Sequence, residues 1–114
     1  MVHHSKDLQR LQRENLRGGQ GVVETAIVYK ADEMLGKATL FNRLTVKPGS
    51  TIGGHTHETD AEIYYVLSGE VVANDDGAEV IMGAGDAMFT GGGDYHSAKN
   101  VSGKEVKMLA IVIL

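Results

Sequence analysis

The chain has 114 residues, 42% hydrophobic and 23% charged, with a formal net charge of -4. That length holds one domain burying roughly two thirds of its unfolded surface, and the composition excludes disorder. The acidic balance argues against a nucleic-acid partner, and a cysteine count of zero removes disulfides, thiolate metal sites and a cysteine nucleophile. The apolar runs are short and the N-terminus is polar, so the expected location is cytoplasmic, with no membrane partner.

Residues 1–21 combine Lys6, Arg10, Arg13 and Arg17 with Leu8, Leu11 and Leu16, a weakly helical pattern that runs into Gly18, Gly19 and Gly21. This segment reads as an N-terminal arm, either frayed or packed on a neighbouring subunit. His3 and His4 read as solvent-exposed, not as ligands. From residue 22 to 114 the texture is that of a single all-β domain: short runs of Val, Ile, Tyr and Thr separated by Gly, Asp and Asn. The runs predict strands at 22–29, 38–47, 61–68, 70–74, 78–82, 86–90, 95–99 and 104–113. Pro48 and Gly49 end the second of these at a turn. Asn74, Asp75, Asp76 and Gly77 suit a tight hairpin, and the later ligands of a calcium loop are missing there.

Alternate residues of a strand point to one face, with Cα atoms about 6.6 Å apart, so His55 and His57 can converge on one ion. Glu62 opens the next predicted strand and supplies a third ligand if the intervening turn folds the chain back. Donors of types N, N and O favour a divalent transition metal.

The segment Gly49 to Gly69 reads glycine, five residues, His55, one residue, His57, four residues, Glu62, six residues, glycine. It resembles the first motif of the cupin superfamily at every defining position. Gly85 to Asn100 resembles the second motif, with Gly85, Gly91, Gly93, His96 and Asn100 at its spacings. One position departs: Gly91 stands where the family usually has proline, which predicts a less rigid loop before His96. Fifteen residues, Glu70 to Ala84, separate the motifs, as in small single-domain members.

The resemblance implies a double-stranded β-helix, or jelly-roll, barrel holding one divalent metal through His55, His57, Glu62 and His96. One or two positions on the ion would stay open for water or substrate. Fe, Mn, Ni, Co and Zn all suit such a site.

Strand alternation then supplies the walls. With Glu62 inward, Tyr64 and Val66 also point inward, which makes Tyr64 either a catalytic acid, base or hydrogen-bond donor, or simply a strand residue. Asn42 falls on the apolar face of Leu40, Leu44 and Val46, where a polar group needs a partner. Met108 and Ala110 are expected to line the same pocket. The opposite face of the last strand, Leu109, Ile111 and Ile113, is also apolar and should be covered by another strand or by a second subunit, hence an expected homodimer.

Three functions fit: a dioxygenase-type oxidoreductase, with Asn42 and Tyr64 orienting the substrate; a metal-assisted isomerase, lyase or decarboxylase acting on a sugar or small acid; and a non-catalytic small-molecule-binding module. Arg43 and Lys107 fall on the outer face, so the expected ligand is small and neutral or weakly polar.

Overall fold

The computed structural model describes residues 1–114. Its ten strands are β1 (Gln9–Glu14), β2 (Val22–Lys30), β3 (Ala38–Val46), β4 (Thr51–Thr56), β5 (Ala61–Ser68), β6 (Val71–Asp75), β7 (Ala78–Met82), β8 (Ala87–Gly91), β9 (Tyr95–Lys99) and β10 (Val106–Ile113). They form two antiparallel sheets, one ordered β1-β2-β3-β10-β5-β8 and the other β4-β9-β6-β7. The sheets enclose a shared apolar interior, as a jelly roll does.

Alternation explains which side chains fill that interior. Along β10, Val106, Met108, Ala110 and Val112 are buried, whereas Lys107 is exposed and Leu109, Ile111 and Ile113 are half-buried. Leu44 and Val46 from β3, Val66 from β5 and Val71 from β6 join Val106 and Met108 in one core cluster. Burying each such aliphatic side chain contributes about 1.5–3 kcal/mol. No other strand of this chain covers the outer face of β10, and the adjoining Tyr65, Leu67 and Phe89 are exposed.

Two strands depart from the sequence expectation. Residues 9–14 are not helical. They pair along β2 from Gln9↔Ile27 to Glu14↔Val22, because backbone hydrogen bonding to an open sheet edge needs no apolar side chains. β4 escapes the pattern because Gly53 and Gly54 interrupt it and glycine weakens a strand signal.

The expected hairpin forms between β6 and β7: Asp76 and Gly77 both have positive φ, and Asn74 Oδ1 accepts a 2.7 Å hydrogen bond from the Gly77 amide. Gly91, where the family usually has proline, is closely packed. It ends β8, buried opposite Ala61, and an added Cβ would come within 2.8 Å of the Ala61 methyl group.

Candidate metal centre

The four predicted ligands come together across the two sheets. His55 lies on β4 directly opposite His96 on β9, and His57 follows β4, held by hydrogen bonds between its backbone and those of Gly93 and Asp94. Glu62 enters from β5 in the other sheet, so the cluster joins the two layers. His55 is half-buried and the other three are buried.

The donor atoms, His55 Nε2, His57 Nε2, His96 Nε2 and Glu62 Oε1, converge. The His55–His96 separation is 2.9 Å, and Glu62 Oε1 lies 3.1 Å from His57, 3.1 Å from His96 and 3.5 Å from His55. Donors held about 2.1 Å from one divalent ion sit roughly 3.0–3.4 Å apart, so the residues present fit such an ion.

Hydrogen bonding on the far side of the rings supports the same reading. His55 Nδ1 lies 3.1 Å from the Gly53 carbonyl, and His57 Nδ1 lies 2.7 Å from Asp60 Oδ1. Both partners only accept, so each Nδ1 carries a proton, which leaves Nε2 as the nitrogen whose lone pair can turn inward to a metal. With Nε2 deprotonated, lone pairs face a carboxylate oxygen, an arrangement that a cation between them satisfies. His96 differs: its Nδ1 is buried without a partner, so no protein group fixes its tautomer.

The charges agree. Burial lowers the His55 imidazole from its ordinary value, and the neighbouring His96 and Arg17 lower it further, against an opposing hydrogen bond to Gly53, which keeps the ring in its metal-binding form. Burial alone would raise Glu62, but without a metal the hydrogen bond from a protonated His96, and the charges that His96, His57 and His55 carry when protonated, outweigh it and hold the carboxyl low. Tyr64 stacks on His96, with ring centroids 4.7 Å apart and planes 11° apart. Burial, reinforced by Glu62, pushes its phenol well above the usual value, so it stays protonated.

A cavity of about 400 Å³ opens beside the cluster, with His55 and Glu62 in its wall. Asn42, Ala110 and Tyr64 form one cross-strand row over β3, β10 and β5, and all three line it. Met108 does not. It lies one row deeper, between Leu44 and Val66, fully buried in the core, because inward neighbours on a strand differ in depth as well as sharing a face.

The cavity also holds residues that the sequence reading placed elsewhere. Arg13, Leu16 and Arg17, from the N-terminal segment, line its mouth, and Thr25 lines its wall with Oγ1 buried and unpartnered. The basic residues at the pocket are therefore Arg13 and Arg17, not Arg43 or Lys107. The one visible signal was a pair of arginines just before a glycine-rich stretch, and nothing local says where such a stretch folds.

Comparison with known proteins agrees with this geometry. An oxalate-binding protein from Thermotoga maritima is 42% identical over 100% of this chain and 94% of its own length. The crystal structure of a predicted oxalate decarboxylase from Thermotoga maritima, also 42% identical, superposes with a TM-score of 0.97 over 100% of this chain and 99% of the other. KdgF from Halomonas sp. is 15% identical and shares the fold, with a TM-score of 0.78 over 100% of this chain and 94% of the other. The sequence profile described as the cupin domain matches residues 42–112, spanning both ligand motifs, and the chain belongs to that family.

Proposed function

We propose that this cupin binds a small carboxylate of the oxalate class at a divalent metal held by His55, His57, Glu62 and His96. The observation that carries the reading is the convergence of three imidazole nitrogens and one carboxylate oxygen beside a cavity of about 400 Å³ with a basic mouth. When bound, the ion supplies a Lewis acid for ligand oxygens. Fe, Mn, Ni, Co and Zn all suit the donor set. Names borne by the 42%-identical relatives support the ligand class. Ligand binding of this kind displaces the dioxygenase expectation as the leading function.

Turnover of that ligand in a lyase-type reaction is the second reading, and Tyr64 favours it. The phenol is buried, protonated and stacked on a metal ligand, so it can donate a hydrogen bond to a carboxylate in the cavity. Asn42 and Ala110 shape the pocket around it. The half-exposed apolar face of β10, β5 and β8 suits pairing of two copies as a homodimer.

Elemental analysis of protein purified without a histidine tag, followed by calorimetric titration with oxalate, tests the main reading. One metal per chain and oxalate binding that chelation abolishes are expected. Protein with no metal, or oxalate binding indifferent to the chelator, would overturn it. Carbon dioxide release from oxalate, lost in Tyr64→Phe with metal retained, is the mark of the second reading.

A further inference from the structure

The segment between β1 and β2 crosses the mouth of the metal cavity as a strap. Its conformation is unusual: Asn15 and Arg17 are left-handed, with φ of 53° and 55°, and so are Gly18 and Gly21. A residue with a Cβ occupies that region at a cost, so a contact must hold it there. The contact is backbone against backbone. A Cβ on Gly53 of β4 would run into the Arg17 carbonyl, and one on Gly19 would run into the Thr51 carbonyl. Hydrogen bonds from the Gln20 amide to Thr51 Oγ1 and from the Thr51 amide to the Gln20 carbonyl, both 2.8 Å, secure the far end. Leu16 anchors the near end against the core cluster.

Seated in this way, the strap brings Arg17 to the cavity, beside Arg13 at the end of β1. Arg10 on the same strand lies 3.8 Å from Glu24, whereas neither Arg13 nor Arg17 has a carboxylate within salt-bridge distance. Both nonetheless line the cavity, together with His55 and Glu62. An unpaired guanidinium facing a metal centre offers a planar fork for a carboxylate.

We infer that Arg13 and Arg17 are specificity residues, selecting ligands that place one carboxylate at the metal and a second within reach of the strap, and that Gly53 is the notch that positions Arg17. The inference rests on the carboxylate-binding reading above. It makes the ligand a short dianion, and it makes the N-terminal segment part of the site.

The test compares oxalate with formate on the full-length, metal-bearing protein. Arg17→Ala should weaken oxalate binding roughly tenfold or more, the loss expected for a charge-assisted hydrogen bond, while formate affinity and metal content stay within about twofold. Arg17→Lys should recover part of the loss, because the charge remains and the fork does not. Adding Arg13→Ala should weaken oxalate further. Gly53→Ala should lower the oxalate-to-formate preference, because an added Cβ would meet the Arg17 carbonyl and displace the strap. Equal oxalate affinity in the wild type and in the Arg13→Ala/Arg17→Ala variant would overturn the inference and leave the carboxylate-binding reading standing. Failure of the wild type to bind either anion would overturn both.

Discussion

The interior of this barrel has two ends made from the same strands. At one end β3, β10 and β5 contribute Leu44, Met108 and Val66, all buried and apolar, with Leu44 also touching the cavity. One and two rows along, the same strands contribute Asn42, Ala110 and Tyr64, then Leu40, Val112 and Glu62, and β4 and β9 face them with the histidines. The strand geometry is shared, but the means of satisfying the interior is not. The apolar end is stabilised by area removed from water, and the polar end by lone pairs converging where a cation fits.

That difference can be broken from either side. Met108→Ala should cost about 2–5 kcal/mol of folding stability, read by chemical denaturation, with one metal per chain retained. A smaller loss accompanied by loss of metal would show that the two ends are not separable. The converse experiment acts on the centre. His57→Ala should leave a folded barrel and reduce metal affinity by more than the 10–100-fold typical of removing a hydrogen-bond partner behind a ligand, and Asp60→Asn should fall within roughly that range. Metal titration of both variants checks the order. If Asp60→Asn bound metal like the wild type, its 2.7 Å contact with His57 would not be orienting that ring. Glu62→Gln should cost less than His57→Ala, because an amide oxygen still coordinates.

Acid should weaken the polar end. In metal-stripped protein His55 titrates below its ordinary value of 6.5 and Glu62 below 4.5, so at pH values between the folded and unfolded constants the unfolded chain binds more protons for both. Stability therefore rises with pH through each window. It should be level above pH 7, decline as pH falls below 6.5, where His55 must stay uncharged, and decline again below 4.5, where Glu62 resists protonation. A denaturation profile unchanged between pH 7 and pH 4 would show that these groups are not held as described. In holoprotein the metal should dissociate in the same direction, since the ligands must be deprotonated.

Three of the ligands were legible from spacing, because His55 and His57 share a strand face and Glu62 follows within one turn, and His96 was legible only through the resemblance to the second cupin motif. The inward face of Asn42, Tyr64 and Ala110 was legible for the same reason, a period of two that any strand imposes. Depth was not legible. Met108 and Ala110 are equivalent by alternation and both belong to the core cluster, and only the cross-strand register brings Ala110 and not Met108 to the cavity wall.

The sequence by itself determined that this chain is an all-β barrel of the cupin type with one cluster able to hold a metal, since side-chain alternation and motif spacing are local properties. Tertiary structure alone decided what surrounds that cluster. Arg13 and Arg17 reach the cavity because β1 pairs with β2 through its backbone and because Gly53 lets the next turn sit against β4. Neither contact depends on a side-chain pattern, so neither left a trace in the periodicity of residues 1–21.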